Sequence, residues 1–365
     1  MDRRTFVTAA ATLPFATALS PLALAQARTF TPRPGDWRTF EVVTRLDVAN
    51  PTGATQAWVP VPAVDANWQK STPGTWSGNM QQAELVTDPV YGAKMVHVTW
   101  AEAEKAPWIQ VTSRIQSRDR ALDWSRKSSP AADPAELALA LKPTALMPTD
   151  GIVRETASKI VAGKTTDVER VRALYDWVVV NTYREPKVRG CGVGDIKGML
   201  ETGNMGGKCA DLNALFVALC RSSGVPARDL YGIRVAKSAF GYRELGAGSP
   251  DITKAQHCRA EVFLTEYGWV AMDPADVAKV MRQEAPEWLK DPKHELVAPV
   301  NAGLFGAWEG NWMAYNVAHD VALPGSRGAK LGFFMYPQAE SRGERIDSLD
   351  PDTFKYKITS REVPA

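Results

Sequence analysis

Neither sign of charge is in excess in this sequence: 43 Lys and Arg residues stand against 41 Asp and Glu, a formal net charge of +2. A protein that binds a polyanion usually carries a clear basic surplus, so nucleic acid is excluded as the expected partner. Cysteine and histidine are equally sparse, at four residues each. Four cysteines in 365 residues are too few for a disulfide framework to hold the fold, although any of them can carry chemistry. The length predicts about two domains.

Long hydrophobic runs are also lacking, with one exception at the start of the chain. Residues 7–25 are largely apolar, follow Arg3 and Arg4, and lead to a small-residue cleavage signal that ends at Ala27. We predict that residues 1–27 are an export signal of the twin-arginine type; a Sec signal and an uncleaved anchor are the alternatives. No other window approaches the roughly 18 apolar residues of a spanning helix. The mature chain is therefore expected to have no membrane span and to be periplasmic or secreted.

The sequence shows no internal repeat and no low-complexity tract. A β domain is predicted over residues 28–122, because β-branched and aromatic runs alternate there with turn-forming residues. The expected strands cover residues 40–48, 55–61, 83–86, 95–100 and 108–115, and turns are expected at Pro73-Gly74 and Ser77-Gly78. Strands of this number and length suggest a sandwich, and a polar linker is predicted over residues 123–149.

A catalytic core with mixed helices and strands is predicted over residues 150–285, which makes the expected fold class α+β. Thr166 and Glu169 fit a capping box at the start of one helix, and a Gly-rich loop precedes a second helix that begins near Cys209. Strands are predicted at 229–235, 258–264 and 269–272, and a short helix at 274–284. Residues 286–365 are expected to form additional β structure packed on this core. Their aromatic residues fit either a core or the wall of an acceptor cleft: Phe305, Trp308, Trp312, Tyr315, Phe333, Phe334 and Tyr336.

Cys209 is the strongest candidate for chemistry. At the start of a helix its sulfur would lie near free backbone N–H groups and the positive end of the helix dipole, which favour the thiolate and can hold an oxyanion. A phosphate-binding loop is excluded, because Thr202 and Cys209 stand where that motif needs Gly and Ser or Thr. Cys220 lies inside the same helix and better fits a buried thiol. Cys191 is expected to behave as an ordinary thiol if it is exposed and unpaired.

A nucleophilic cysteine needs a base, and His257 offers one. Apolar residues alternate along its strand and along the next strand, which puts His257 and Asp273 on the same face. The three-residue connection 265–267, followed by Gly268, keeps the two faces matched in a hairpin. We therefore predict that His257 and Asp273 are cross-strand neighbours. An isolated His is more often structural, and the shared face with Asp273 is what favours catalysis.

Three segments resemble the transglutaminase-like superfamily. Residues 207–212 (GKCADL) match its nucleophile segment, His257 with Glu261 matches its His segment, and Asp273-Pro274 matches its Asp segment, in the same order and spacing over about residues 166–279. The resemblance implies a papain-like core in which Cys209 is the nucleophile and His257 the base and acid, with Asp273 orienting the imidazole. Cys258 stands where many members have another residue, and no function is assigned to it.

The resemblance also implies a reaction at amide bonds of peptides or proteins through a Cys acyl-enzyme, with hydrolysis and acyl transfer both open. The expected oxyanion donors are the backbone N–H of Cys209 and the hydroxyl of Tyr183, for which core packing is the alternative. No cofactor is predicted. Some members of the superfamily require calcium, but the sequence contains no loop of the Asp-x-Asp-x-Asp-Gly type.

Two alternatives come from other classes of protein. A zinc site made of Cys209, His257 and Cys258 has suitable ligand types, but adjacent strand residues point to opposite faces of a sheet. The other alternative is a catalytically inactive domain of the same fold that binds peptides. Degenerate copies commonly lose one residue of the triad, and all three residue types are present here.

Overall fold

The structure is a computed structural model that describes residues 28–364, so the predicted export signal lies outside the described residues. The first part of the described chain is rich in strands: β1 (Arg38–Val48), β2 (Thr55–Val61), β3 (Gln69–Gly78), β4 (Gln82–Thr87), β5 (Lys94–Trp100), β6 (Trp108–Ser117) and β7 (Arg120–Ala121). Side chains of β1 alternate between buried and half-buried along most of its length, as expected for a strand with one face on a core.

Helices and strands alternate in the middle of the chain: α1 (Pro134–Leu139), α2 (Gly151–Ile160), α3 (Asp167–Asn181), β8 (Tyr183–Arg184), α4 (Ile196–Thr202), β9 (Gly206–Gly207), α5 (Cys209–Ser222), β10 (Ala227–Arg234), a 3-10 turn (Arg243–Leu245), β11 (Gln256–Leu264), β12 (Gly268–Met272) and α6 (Pro274–Gln283). The predicted capping box opens α3, where the Thr166 hydroxyl accepts from Glu169 N at 3.2 Å and the Glu169 carboxylate accepts from Thr166 N at 3.1 Å.

The last part of the chain is again mostly strands: α7 (Ala298–Gly303), β13 (Ala307–Trp308), β14 (Trp312–Asn316), β15 (His319–Val321), β16 (Leu331–Phe333), β17 (Gln338–Ser341), β18 (Glu344–Ile346) and β19 (Phe354–Val363). No helix among residues 28–364 is long and apolar enough to cross a membrane.

Two sheets with the strand orders β19-β1-β6-β3 and β18-β17-β2-β5-β4 share one apolar core. Leu46 of β1 and Ile109 of β6 come from the first sheet, and Val59 of β2 and Val96 of β5 come from the second. Because both sheets contribute to a single cluster, they form a sandwich. The α+β class is confirmed, with this sandwich beside a mixed core.

The sandwich is completed by the two ends of the chain, which differs from the predicted arrangement. Strand β19 pairs with β1 along ten residues, from Thr39 opposite Val363 to Val48 opposite Phe354, and β17 pairs with β2. The sequence predicted that all of this C-terminal stretch packs on the catalytic core. Its first part does so, with Val300, Trp308 and Trp312 in the core cluster, whereas β17, β18 and β19 belong to the sandwich. A strand pairing that closes a loop of about three hundred residues leaves no local sequence signal.

Strand β3 runs through Pro73-Gly74 and Ser77-Gly78, where the sequence predicted turns. Its pairing with β6 shifts between Thr72 and Thr75, so that Pro73 and Gly74 lie in a bulge of an edge strand. An edge strand has one side free of ladder hydrogen bonds and therefore tolerates a residue that lacks an N–H. Most of its side chains are exposed or half-buried, so no alternation marks it as a strand.

The core next to the sandwich is built on a sheet of order β12-β11-β10-β14, with α5 packed against β10 and β11. Every residue of α5 from Cys209 to Arg221 is buried, so this helix runs through the interior. The aromatic residues of the C-terminal part mainly fill cores. Phe305, Trp308 and Trp312 belong to the largest cluster, while Tyr336 lines a cleft.

Candidate active site

Cys209 is the first residue of α5, as predicted, and its side chain is almost fully buried. Lys208 precedes it directly, and the two residues before Lys208 form β9, which pairs in parallel with β8. Small residues are needed there, because a Cβ on Gly206 would lie 2.5 Å from the Tyr183 ring and one on Gly207 would lie 2.6 Å from Asp211 Cβ. This close packing fixes the backbone that delivers the sulfur to the helix N-terminus.

Asp211 ties the Gly-rich loop to the start of α5. Its carboxylate accepts from the backbone N–H groups of Val193 at 2.9 Å, Gly194 at 2.8 Å and Lys208 at 2.9 Å. Gly192 has a φ of +94°, and a Cβ there would lie only 1.8 Å from the Asp211 carboxylate. The loop can therefore approach the helix only without a side chain at this position.

His257 and Asp273 are brought together, with Nε2 of the imidazole 2.7 Å from the Asp273 carboxylate. The hairpin has the predicted three-residue loop, and Gly268 has a φ of +77°. The register places the two residues on one face as a diagonal pair rather than directly opposite, because Ala260 faces Met272. Arg259 precedes the last residue of this pairing, and its Nε lies 3.8 Å from the Asp273 carboxylate.

A second carboxylate, which the sequence analysis did not identify, also contacts the imidazole. Asp276 in the first turn of α6 lies 3.3 Å from His257 Nε2, and Arg234 binds it at 2.5 Å. On the other side, Asn213 of α5 donates to Asp273 at 3.2 Å. Since both carboxylates meet Nε2, Nδ1 is the ring nitrogen left to face Cys209.

The buried charges around the imidazole set its protonation state. Burial opposes the imidazolium, as does the guanidinium of Arg234. The carboxylates of Asp276 and Asp273 outweigh both, and the pKa of His257 rises to about 9. The site therefore favours a charged histidine across neutral pH.

Three thiols meet at the start of α5. Cys191 and Cys258 belong to the same cluster of buried residues as Cys209, and His257 lines the same cleft as Cys209. Their hydrogen bonds, Cys191 first, lower the pKa of Cys209 well below its ordinary value, although burial opposes the thiolate. Cys191 is buried and, because it hydrogen bonds to Cys209, its pKa is raised. The exposure on which the expectation of an ordinary thiol at Cys191 depended is therefore not met.

One group of side chains among residues 28–364 brings three metal-type ligand atoms together, and it consists of His257, Asp273 and Asp276. This is not the zinc set considered from the sequence. Arg234 contacts Asp276 and Arg259 lies near Asp273, so cations of the protein already face both carboxylates. The group fits an ion-paired imidazole better than a metal site.

Tyr183 lies at the edge of the site. Its ring covers Gly206, three residues before Cys209, and packs on Trp288 with ring centroids 5.5 Å apart. Its hydroxyl makes no hydrogen bond within the described part of the chain, and its role as an oxyanion donor stays a prediction. The backbone N–H of Cys209, at the first position of α5, keeps the geometry expected of such a donor.

Comparison with known proteins agrees with this architecture. A family model described as the transglutaminase-like superfamily matches residues 154–274. An uncharacterized protein of Haemophilus influenzae is 35% identical over 347 residues, which cover 90% of this chain and 92% of that protein. The chain belongs to the transglutaminase-like superfamily.

A solved structure shows the same fold over nearly its whole length. A proposed cysteine protease from Cytophaga hutchinsonii superposes with a TM-score of 0.51 at 14% identity, covering 90% of this chain and 99% of its own. At that level of identity the likeness concerns the fold.

Proposed function

We propose that this protein is a cysteine-dependent enzyme that acts on amide bonds of peptides or proteins through an acyl-enzyme on Cys209. The observation that carries the proposal is the convergence of a cysteine at a helix N-terminus with an imidazole whose Nε2 is held 2.7 Å from Asp273. A nucleophile, a base and a group that orients the base are the parts such chemistry requires.

The reaction follows from these roles. The Cys209 thiolate attacks the amide carbon, and the negative charge that forms on oxygen is held by the Cys209 backbone N–H, with Tyr183 as a further donor. The imidazolium of His257 then gives its proton to the amide nitrogen as the C–N bond breaks, which leaves a thioester. Water or an amine attacks the thioester, His257 takes up the proton from it, and the C–S bond breaks. Water completes a hydrolysis, and an amine completes an acyl transfer.

Mass spectrometry of the intact protein tests this proposal. Purified protein incubated with candidate periplasmic peptides should gain the mass of an acyl group, and peptide mapping should place it on Cys209. Cys209→Ala should abolish the adduct, while Cys220→Ala, a buried thiol of the same helix, should keep it. Peptide binding without any adduct or turnover would instead support the inactive binding domain.

The proposal includes export to the periplasm or the medium, which depends on residues 1–27. The guanidinium pair of Arg3 and Arg4 is what a twin-arginine receptor reads, whereas Sec export needs only positive charge. Replacing both with Lys should therefore leave precursor in the cytoplasm, measured by cell fractionation. Normal export of the Lys variant would point to a Sec signal.

A further inference from the structure

Two clefts meet beside the Cys209 sulfur. One, of about 250 Å³, contains Cys209 and His257, and the other, of about 490 Å³, contains Cys191. They share Arg184, Lys254 and Gln256 as lining residues. Because these walls are common, the clefts form one continuous surface that leads to the reacting atoms.

This surface is strongly basic although the chain as a whole is nearly balanced in charge. Asp251 is the one acidic side chain that lines either cleft, and Lys357 lies 3.8 Å from it. Three of the lining cations have acidic partners: Arg234 with Asp276, Lys279 with Glu244, and Arg189 with Asp347.

Four further cations line the clefts with no acidic partner within 4.0 Å among residues 28–364: Arg184, Lys208, Lys254 and Lys355. Arg184 is bound only to the neutral amide of Gln283, at 3.1 Å. Burial lowers the pKa of Lys208, and the nearby Arg184 lowers it further, although Cys191, Cys209 and Asp211 act in the other direction.

The unpartnered cations come from separate parts of the chain. Arg184 lies on β8, Lys208 comes directly before α5, Lys254 precedes β11, and Lys355 lies on β19 of the sandwich. Like charges repel, so four elements that converge on one cleft with the same sign store an electrostatic cost. A ligand of opposite charge relieves that cost on binding.

We propose that the substrate is an acidic peptide, with carboxylate side chains close to the amide bond that Cys209 attacks. This inference rests on the proposed function and names the substrate class for the same site. Arg184 offers a planar donor pair to one carboxylate, and Lys254 and Lys355 offer point charges further along the cleft. Leu349, Phe354 and Tyr356 add apolar surface, which fits a peptide better than a small anion.

Charged alkylating agents test the cleft without requiring turnover. Iodoacetate and iodoacetamide react with the same thiolate, but only iodoacetate is negatively charged. The iodoacetate rate at Cys209 divided by the iodoacetamide rate therefore reports the electrostatic potential at the thiolate. The division removes any change in thiolate content between variants. Arg184→Gln and the double variant Lys254→Gln with Lys355→Gln should each lower this ratio by about threefold to tenfold. Raising sodium chloride to about 0.5 M should lower the wild-type ratio in the same direction.

Lys105→Gln is the matched control, because Lys105 is exposed in the connection between β5 and β6. It should leave the ratio at the wild-type value. Paired peptides that carry Glu or Gln next to the scissile amide extend the test to substrates, and the Glu peptide should form the Cys209 adduct about tenfold faster at low salt.

The outcomes distinguish a failure of the proposed function from a failure of the acidic-substrate inference. If Cys209 reacts slowly with both reagents, the proposed function itself fails. If iodoacetamide reacts rapidly but the ratio is the same in all variants, or if the Glu and Gln peptides react equally fast, the nucleophile stands and the acidic-substrate inference is overturned.

Discussion

Two histidines of this chain are buried beside a carboxylate, and their surroundings are opposite in character. His257 lies 2.7 Å from Asp273 through Nε2. His319 lies 3.8 Å from Asp229, too far for a hydrogen bond, while its Nδ1 is 3.2 Å from the Tyr231 hydroxyl. All of these groups are buried, so burial alone does not distinguish the two sites.

Charge compensation separates the two sites. Around His257, two carboxylates are matched by Arg234 and Arg259, and an imidazolium is matched by the Cys209 thiolate. These opposite charges stabilise the ionised forms in the interior, although burial and Asp276 raise the pKa of Asp273.

Around His319 the same kinds of groups are left without such partners. The Asp229 carboxylate accepts no hydrogen bond within residues 28–364, and burial raises its pKa to about 7 although Arg221 acts in the other direction. Burial, together with Arg221, lowers the pKa of His319 well below its ordinary value. Below about pH 7 this pair therefore holds its neutral forms, whereas the His257 site holds charges. A buried His beside an Asp is therefore not in itself a proton-transfer site.

Replacing each histidine in turn tests this comparison, and the His257 variant should show the largest effect. His257→Ala removes the proton donor and should lower kcat/KM by about ten-thousandfold. His319→Asn keeps a polar atom for Tyr231 and should leave kcat/KM within about fivefold of wild type. Steady-state assays on both variants, with thermal unfolding to confirm folding, make the comparison. Equal losses in the two variants would contradict the assignment of His257.

Replacing the orienting carboxylate should have the next largest effect on turnover. The Asp273 carboxylate accepts a hydrogen bond from the Asp276 N–H at 3.1 Å, and Asp273→Asn keeps an oxygen for this bond. The variant loses the charge that stabilises the imidazolium. Turnover should fall by about a thousandfold, while the free energy of unfolding changes by about 1 to 2 kcal/mol. A variant that does not fold would show that Asp273 is mainly structural.

Removing the second carboxylate should shift the pH profile. Asp276 raises the pKa of His257, whose value of about 9 sets the upper limit of the thiolate–imidazolium pair. In Asp276→Asn this limit should move down by about one pH unit, since one of two supporting charges is lost. The rate of Cys209 alkylation and kcat/KM, each followed against pH, should show the same shift. An unchanged alkaline limb would mean that Asp276 only binds Arg234.

Asp229→Asn should have the smallest effect on turnover, within about twofold, and should act on stability instead. The folded-state pKa of Asp229, about 7, lies above its ordinary value of 3.8, so its contribution to stability is present below pH 3.8 and is lost as the pH rises through about 7. The variant should therefore gain stability over wild type at pH 8 relative to pH 4, by at most about 4 kcal/mol. Urea unfolding at both pH values measures this gain. If the free energies of unfolding of variant and wild type differ by the same amount at pH 4 and pH 8, the raised pKa of the buried carboxyl is contradicted.

The central residues of the site can be located from the sequence, because a helix start and a strand period fix where their side chains lie. Cys209 is the first residue of its helix, and alternation puts His257 and Asp273 on one face. Asp276 and Asn213 cannot be found in this way. Their contacts with the site depend on how α6 and α5 pack, which no local pattern records.

The sandwich, too, can be predicted from the sequence only in part. The early strands β2, β5 and β6 have clear β-branched and aromatic runs, and the predicted positions agree with the structure to within two residues. One of the two partners of β1, β19, is about three hundred residues away, so its identity depends on the finished fold. Lys355 is placed at the candidate cleft by that pairing, so no local pattern marks it as a site residue.

The pairing of β1 with β19 has a consequence for the order in which the molecule is made. A ribosome delivers β1 about three hundred residues before β19, so this edge of β1 has no partner while the residues between them are made. The cleft wall that includes Phe354 and Tyr356 is completed only when β19 is made. The sandwich and the cleft thus both depend on β19, and a chain cut short before residue 354 lacks part of both.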